Sequence, residues 1–338
     1  MQHSLTIGNL TLKSPVLLAP MAGYTDWPFR MAVRALGGFG LAYTEMIDPK
    51  SVLFGSGKKR KAILATSAED RPLGYQLYGS DPKLMVQAAR WLADQGAVLI
   101  DINMGCPQKK ITRRGSGAGL LKTPRDAVRL AGCIVKAVSI PVTAKLRSGW
   151  DQDDSTGPLA SALEDAGIAA ITIHGRTCLQ RYSGQVNGDT IRQVVTKVRR
   201  IPVIGNGDIT SPVLAQAMFT ATGCAGIMVG RAALKNPWIL RDIDSALKGC
   251  PVARPTRQEH IAFMQRHFEA MVNQHGDTLG TLLFHRWIPQ YSRGLNLGRE
   301  MMIALLQIRQ ADIMRRQFNT LAEQAGEQSL RLSPLYPP

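Results

Sequence analysis

The sequence lacks several features that would define its class at once. No apolar run approaches the roughly 20 residues that a membrane-spanning helix needs. Its first residues show no basic segment followed by an apolar stretch, the pattern of a secretory signal. The five cysteines form no C-x-x-C pair, which argues against a disulfide scaffold or a cysteine-rich zinc site. We therefore expect a cytoplasmic protein with reduced thiols, no membrane association and no bound metal.

Acidic residues are few beside the basic ones. The 338 residues contain 25 Asp+Glu and 41 Lys+Arg, which gives a formal charge of +16. Clustered cations steer and hold phosphates, so this balance favours a polyanionic partner. The first 250 residues carry most of the excess, because the remainder has no lysine and ten arginines against seven acidic residues.

Short apolar runs alternate with segments of helical period along the first 230 residues. Near-continuous hydrophobicity indicates parallel strands covered on both faces, and segments 82–96 and 124–139 place their apolar residues on one helix face. Eight such units predict an α/β fold, the (β/α)8 TIM barrel. The G-x-G-x-x-G turn of a doubly wound sheet is absent after the first run. The predicted strands are 16–20, 41–46, 73–77, 98–103, 141–147, 170–174, 202–206 and 226–230.

The pattern changes at about residue 251, where the strand-like runs end. Thr256 and Glu259 have the spacing of a capping box that opens a helix, and further helix-period segments follow. We therefore predict a barrel domain over 1–250, a small C-terminal helical-bundle domain over 251–328 and a tail over 329–338.

Polar or glycine-rich residues stand at the end of every predicted strand, where the active sites of such barrels lie. One such residue often only caps the next helix, but eight are too many for capping alone. The glycines after the last two strands, with Arg231, match a barrel phosphate site. Lys145 is expected near the barrel axis, where a cation stabilises negative charge on a reduced flavin. Gln76 offers a donor and an acceptor for the imide edge of that ring, so these residues suggest bound FMN.

Cys106 lies in a turn between Gly105 and Pro107, and a basic, glycine-rich segment follows over 108–119. Most buried cysteines are inert small hydrophobes, but a thiol on a cationic loop over the barrel mouth is placed to contact substrate. Because cations stabilise a thiolate, we expect its pKa to lie below the usual value of about 8.5.

Several segments together resemble the flavin-dependent tRNA-dihydrouridine synthases, most closely the bacterial B-type subfamily. The most specific part is Asn-Met-Gly-Cys-Pro at 103–107 combined with His-Gly-Arg-Thr at 174–177. The likeness covers essentially the whole barrel and enters the helical tail over 251–328, which is then expected to bind tRNA. The other segments that carry it are 20–26, 76–79, 145–149, 206–208 and 230–232.

The resemblance implies bound FMN, NADPH as the reductant and reduction of a uridine in the tRNA D-loop, at position 17 for the B type. Hydride passes from flavin N5 to C6 of the extruded uracil, and Cys106 protonates C5 as a general acid. Asn103, Arg147 and Arg176 are expected near the flavin or the uracil. The residues expected to hold FMN are Pro20, Met21, Ala22, Gln76, Lys145, His174, Asn206, Gly207, Asp208, Gly230 and Arg231.

Two other functions fit the same pattern. Another FMN barrel, such as a dihydroorotate or dihydropyrimidine dehydrogenase-like enzyme or an ene-reductase, acts on small molecules and does not need a charge of +16. A non-catalytic RNA-binding barrel would be colourless. The basic runs 58–61, 109–110 and 113–114 follow the second and fourth strands, so we expect them to surround the barrel mouth of a monomer. The loop over 113–119 is richer in glycine than the B-type pattern, which leaves the target uridine open.

Overall fold

A computed structural model of the chain describes residues 4–151 and 156–325, apart from the side chains of Lys58 and Lys59. The predicted tail, 329–338, lies outside the described residues, as do the last positions of the predicted helical domain. Among the described helices, none is long and apolar enough to cross a membrane.

Eight parallel strands form the predicted barrel. They are hydrogen-bonded in chain order, and a parallel bridge between Leu17 and Leu41 joins the first strand to the second and closes the ring. Seven of the eight predicted apolar runs contain one of these strands whole and the run 98–103 contains all but the last residue of β6, so the fold prediction is confirmed. The barrel strands are β3 (Val16–Leu18), β4 (Ala42–Tyr43), β5 (Leu73–Leu77), β6 (Ile100–Met104), β7 (Val142–Arg147), β8 (Ala170–His174), β9 (Val203–Asn206) and β10 (Gly226–Val229).

A short antiparallel hairpin, β1 (Leu5–Ile7) and β2 (Leu10–Leu12), precedes the barrel and was not predicted. Its turn residue Gly8 lies against Pro141 and Ala169, which immediately precede β7 and β8. The hairpin therefore covers the N-terminal end of the barrel. Its buried leucines and isoleucine belong to the same apolar cluster as residues inside the barrel, such as Met228. With that end filled, the opposite end is left for a site.

Helices surround the barrel and then continue beyond its last strand. The capping box at Thr256 and Glu259 is present at the start of α12, as the sequence predicts. The helices are α1 (Trp27–Arg34), α2 (Pro49–Leu53), α3 (Gly57–Ile63), α4 (Pro82–Asp94), α5 (Lys109–Thr112), α6 (Pro124–Val135), α7 (Thr156–Asp165), α8 (Gly188–Lys197), α9 (Pro212–Thr222), α10 (Arg231–Lys235), α11 (Ile239–Leu247), α12 (Arg257–His275), α13 (Asp277–Phe284), α14 (Ile288–Leu295), α15 (Arg299–Gln307) and α16 (Ala311–Ala325), with 3-10 turns at Ala68–Asp70 and Gly117–Lys122.

The late helices pack against the first helix of the barrel. The ring of Trp287 stacks on Phe29 of α1, with ring centroids 4.5 Å apart, and meets Tyr24 edge-on at 5.2 Å. Buried side chains of the barrel helices and the late helices form one continuous apolar cluster. This contact brings the helical region next to the loop that follows β3; the domain division at residue 250 stays a prediction.

Candidate active site

A cavity of about 560 Å³ opens at the C-terminal ends of the barrel strands. This volume lies within the range of roughly 300–1,000 Å³ that is typical of cofactor and small-molecule sites. Most of the predicted site residues line it, whereas Gln76 and Arg176 do not. The predicted residues that line the cavity are Pro20, Met21, Ala22, Asn103, Cys106, Lys145, Arg147, His174, Asn206, Gly207, Asp208, Gly230 and Arg231.

Lys145 is a cation held at a fixed place in this cavity. It lies on β7, and its Nζ donates a hydrogen bond of 2.8 Å to Oδ1 of Asn206 on β9. Asn206 in turn donates from Nδ2 to the carbonyl of Met228 at 2.7 Å, so its amide has one orientation. Burial, together with the nearby charge of Arg147, lowers the pKa of Lys145 to about 8. The ammonium is therefore oriented before any ligand arrives.

His174, at the end of β8, is a buried imidazole with an unsatisfied nitrogen. Its Nδ1 has no hydrogen-bond partner, and leaving such a buried atom unpaired costs about 1–3 kcal/mol. Burial, reinforced by four surrounding cations that include Lys145 and Arg231, lowers its pKa to about 2. The ring is therefore neutral at physiological pH. His174 therefore adds a neutral, polar ring to the lining of the cavity.

The anion-binding features predicted for the last two strands are partly visible. Gly207 has a φ of +120°, and a Cβ there would lie 2.5 Å from the Val186 side chain, so glycine is needed. Gly230 precedes α10 without a side-chain cap hydrogen bond. Arg231 opens that helix and lies at the cavity. Backbone N–H groups and a guanidinium thus lie at the same side of the mouth.

The Cys106 turn is held from two sides. Oδ1 of Asn103 accepts hydrogen bonds from the backbone N–H groups of Gly105 at 3.1 Å and Cys106 at 2.9 Å. On the other side, Ala118 donates its N–H to the Cys106 carbonyl at 3.0 Å. A Cβ at Gly117 would lie 3.1 Å from Cβ of Cys106. The glycine-rich loop is therefore needed for close packing on the turn.

The expected direction of the Cys106 pKa is wrong. Burial raises the pKa of this thiol above its ordinary value, and the opposing effects of the Gln108 backbone and Arg147 are smaller. The sequence shows the neighbouring charges but not the burial, which favours the neutral form. The thiol therefore keeps its proton at neutral pH.

Arg147 and Arg176 brace the loops around the mouth. Arg147 donates to the carbonyls of Gly105 at 2.9 Å and Thr177 at 2.8 Å, so it ties the Cys106 turn to the loop after β8. Arg176 forms a bidentate pair with Asp208, with N–O distances of 2.8 and 2.6 Å. Asp208 has a φ of +52°. Arg176 therefore holds the loop after β9 in place through Asp208. Its expected contact with the ligand stays a prediction.

Gln76 is fully buried, and both ends of its amide are occupied by protein. Its Nε2 donates to Asp101 at 2.6 Å, and its Oε1 accepts from Asn103 at 2.8 Å. One N–H and one lone pair remain on the amide. Its expected contact with a flavin imide stays a prediction.

Tyr182 and Lys235 line the cavity but were not predicted. The ring of Tyr182 is 54% exposed, with the Arg231 guanidinium 4.3 Å and that of Arg147 5.4 Å from its centroid. Only tertiary structure brings these groups together. Lys235 had a local signal, because it follows Arg231 by four residues and so shares a helix face with it.

The helical region reaches the cavity loop at Gly23. Arg286 donates a 2.6 Å hydrogen bond to the Gly23 carbonyl. The backbone N–H of Gly23 in turn donates to the carboxylate of Glu45. Gly23 has a φ of +80°, which an L side chain rarely adopts. This peptide is thus held between the end of the second barrel strand and the late helices, next to the cavity residues Met21 and Ala22.

The outer rim of the mouth is basic. Lys109, Lys110, Arg113 and Arg114, which follow β6 and the Cys106 turn, are all exposed, and Lys61 on α3 is exposed as well. Ser80 donates to the Arg114 carbonyl at 2.7 Å, which holds this segment beside the end of β5. Over the described residues, no group of three His, Cys, Asp or Glu residues is arranged to hold a metal ion.

Fold and site together define an α/β-barrel enzyme with a cation-lined cavity and a basic rim at its C-terminal mouth. The family model described as dihydrouridine synthase (Dus) matches residues 17–328. The chain therefore belongs to the dihydrouridine synthase family, which makes it an oxidoreductase and implies a flavin cofactor. The resemblance seen in the sequence is confirmed.

Individual relatives agree with this assignment. The chain is 39% identical over 293 residues to a probable tRNA-dihydrouridine synthase of Rickettsia conorii, covering 86% of this chain and 87% of the relative. It is 39% identical over 298 residues to tRNA-dihydrouridine synthase B of Pseudomonas syringae pv. tomato, covering 87% of each. A solved structure of a morphinone reductase variant with tetrahydroNAD matches with a TM-score of 0.54 and 12% identity, covering 75% of this chain and 91% of that one. That likeness concerns the barrel fold alone.

Proposed function

We propose that this protein reduces a D-loop uridine of tRNA, at position 17, to 5,6-dihydrouridine, with FMN as its flavin and NADPH as the source of hydride. The observation that carries the proposal is the convergence of a protonated thiol, a fixed cation and a neutral imidazole on one cavity. Family membership supplies the reaction class. The tRNA substrate is supported by the names of the relatives and by the basic rim.

The residues of the cavity fit an anionic, planar cofactor. Lys145 is oriented to stabilise negative charge on a ring, and the neutral imidazole of His174 adds a polar group to the same lining. Arg231 and the N–H groups near Gly230 suit a phosphate. Met21 and Ala22 add apolar lining beside them. When bound and reduced, FMN supplies a hydride, which adds to C6 of the uracil.

Cys106 is suited to the acid part of the reaction. After hydride addition, C5 of the pyrimidine needs a proton, and a thiol whose pKa is raised by burial still carries one at neutral pH. General acids in such positions contribute roughly 10²–10⁴ in rate. Asn103 and Arg147 hold the turn that carries the thiol. Arg147, as a nearby cation, also stabilises the thiolate that remains after transfer.

The rim is suited to a folded RNA. A uracil stacked in tRNA has to be extruded to reach a cavity at the end of a barrel. Lys109, Arg113 and Arg114 are exposed beside the Cys106 turn, where they can contact phosphates. Tyr182 offers an exposed ring at the mouth, and extruded bases stack on such rings.

The test uses the purified full-length chain, an unmodified tRNA transcript and NADPH or NADH. We expect flavin absorbance, and dihydrouridine at position 17 that forms faster with NADPH. Dihydrouridine at another D-loop position would contradict the B-type target, and faster reaction with NADH would contradict the reductant. A yellow protein that reduces only free pyrimidines, or a colourless one that binds tRNA, would overturn the proposal in favour of the two alternative functions.

A further inference from the structure

Asp101 is a buried carboxylate that the proposed chemistry does not use. It is the second residue of β6 and is 1% exposed. Its Oδ1 accepts from the Thr143 hydroxyl at 2.6 Å, and its Oδ2 accepts from Nε2 of Gln76 at 2.6 Å. Both donors stand directly opposite it on the neighbouring strands. A buried charge is costly, so a carboxylate in a barrel core requires a physical explanation.

From Asp101, hydrogen bonds run without interruption to the Cys106 turn. Gln76 donates from Nε2 to Asp101, and its Oε1 accepts a hydrogen bond of 2.8 Å from Nδ2 of Asn103. Oδ1 of Asn103 then accepts from the N–H groups of Gly105 and Cys106. The two amides of Gln76 and Asn103 therefore form a relay between a carboxylate and the turn.

The direction of this relay is fixed at both ends. An ionised carboxylate only accepts hydrogen bonds, and backbone N–H groups only donate them. Each amide can rotate by 180° in principle, but only one orientation of both satisfies Asp101 and the turn together. If Asp101 could not accept, Nε2 of Gln76 would be a buried donor without a partner, which costs about 1–3 kcal/mol. The Gln76 side chain would then have no anchor in the position from which its Oε1 accepts from Asn103, and Asn103 would be held less firmly under the Cys106 turn.

We propose that Asp101 is a positioning residue that anchors the Gln76 and Asn103 amides and thereby holds Cys106 in place. The inference rests on the proposed function for its catalytic meaning, because Cys106 is the acid there. The structural part of the proposal, that Asp101 holds the Cys106 turn in place, depends only on the hydrogen bonds described above. Thr143 bonds the other oxygen of Asp101 and lies outside the path, which provides a matched control.

The first measurement is alkylation of Cys106 by iodoacetamide in the folded full-length protein, followed by mass spectrometry of the peptide that contains it. In Asp101→Leu the Gln76 and Asn103 amides lose their anchor and the turn above them is less firmly held, so we expect alkylation about tenfold faster than in wild type. Asp101→Asn keeps an acceptor for Gln76 and should stay within about twofold of wild type, since the Thr143 hydroxyl can accept from the new amide. Thr143→Val should also stay within about twofold, because it leaves the relay intact.

The second measurement separates the two halves of the catalytic cycle. In Asp101→Leu, transfer to tRNA should slow by about 100-fold, the cost of a misplaced reacting group. Reduction of the bound flavin by NADPH does not use Cys106, so it should slow far less, by no more than about fivefold, the share due to the displaced Gln76 amide. A uniform loss in both halves would indicate general damage and would overturn the proposal. Wild-type alkylation in Asp101→Leu, or an equal increase in Thr143→Val, would overturn it as well.

If Asp101→Leu does not fold, Gln76→Met breaks the middle of the relay, and the same increase in alkylation is expected. Wild-type alkylation in that variant would contradict the relay. If wild-type protein makes no dihydrouridine, the proposed function fails, while the alkylation comparison still decides the role of Asp101. The two failures are therefore distinguishable.

Discussion

The barrel mouth and the helical region each bury a neutral histidine, but in opposite surroundings. At the mouth, His174 is surrounded by cations, and its pKa falls to about 2 through burial reinforced by those charges. In the helical region, His267 lies among aromatic rings, and burial alone lowers its pKa to about 3. Its Nδ1 lies 2.7 Å from the Tyr291 hydroxyl. The pKa of a histidine is thus lowered at both places, by burial among cations at the mouth and by burial among aromatic rings in the helical region.

The difference shows how the two regions divide their work. Cations gathered around a neutral ring gain when an anion enters, so the mouth is arranged for a ligand. The aromatic cluster instead gains by packing, and it anchors α12 and the turn before α14 against α1. Arg286 extends from that anchored region to Gly23. The helical region therefore supports the cavity loop through this hydrogen bond.

The largest effect is expected from Cys106→Ala, which removes the acid and leaves both regions folded. Dihydrouridine formation should fall by about 10²–10⁴, the usual contribution of a general acid, while flavin binding and NADPH oxidation persist. Product can be counted by mapping dihydrouridine in tRNA. Cys250→Ala, at an exposed thiol, serves as the control with full activity. Normal product from Cys106→Ala would remove the thiol from the mechanism.

Lys145→Met tests the positive field of the mouth. Loss of a charge-assisted contact should weaken flavin binding by about 2–3 kcal/mol, roughly 30- to 150-fold. In wild type, affinity should also decline as the pH rises through about 8, where Lys145 loses its proton. Flavin fluorescence titrations measure both effects. Lys136→Ala, on the exposed end of α6, is the control; equal affinity in Lys145→Met and wild type would show that this cation does not touch the cofactor.

His267→Gln tests the apolar core. Because the pKa of His267 is lowered from 6.5 to about 3, its contribution to stability is complete above pH 6.5 and is lost as the pH falls toward 3. Between pH 7 and pH 5 the free energy of unfolding should therefore fall by about 2 kcal/mol less in the variant than in wild type.

Urea titrations at each pH measure this difference. Burial raises the pKa values of Asp26 and Asp101, which acts in the opposite direction, but both proteins share that contribution and it cancels. Identical pH dependence in the two proteins would mean that His267 is not held neutral by its surroundings.

Arg286→Gln tests the link between the two regions and should have the smallest effect. The Gly23 carbonyl loses one charge-assisted donor, so flavin binding should weaken by about 1 kcal/mol, roughly fivefold. Arg293→Gln, at an exposed position on α14, leaves that carbonyl untouched. Equal flavin affinities in the two variants would show that the helical region does not support the cavity loop.

The barrel could be predicted because its signal is local. Buried parallel strands appear in the sequence as apolar runs, and each predicted run overlaps one strand. The hairpin of β1 and β2 was missed because its strands have three residues each, although the Gly8-Asn9 turn between two Leu-Thr pairs was a signal. Most of the cavity lining followed from the rule that barrel sites lie at strand ends.

What the sequence could not provide depends on contacts between distant residues or on burial. Arg286 and Gly23 are 263 positions apart in the chain, so their hydrogen bond has no local pattern. Asp101 stands in an apolar run, and nothing nearby in sequence identifies Gln76 and Thr143 as its partners. The Cys106 pKa was misjudged because neighbouring charges are visible in a sequence, whereas desolvation is not.

The most direct test of the mouth as the catalytic site is a single turnover without oxygen. Wild-type protein with its flavin reduced is mixed with unmodified tRNA, and both flavin oxidation and dihydrouridine are followed in time. We expect one dihydrouridine for each flavin oxidised, at a single position of the D-loop. Oxidation of the flavin without dihydrouridine, or reduced flavin that does not respond to tRNA, would contradict the account.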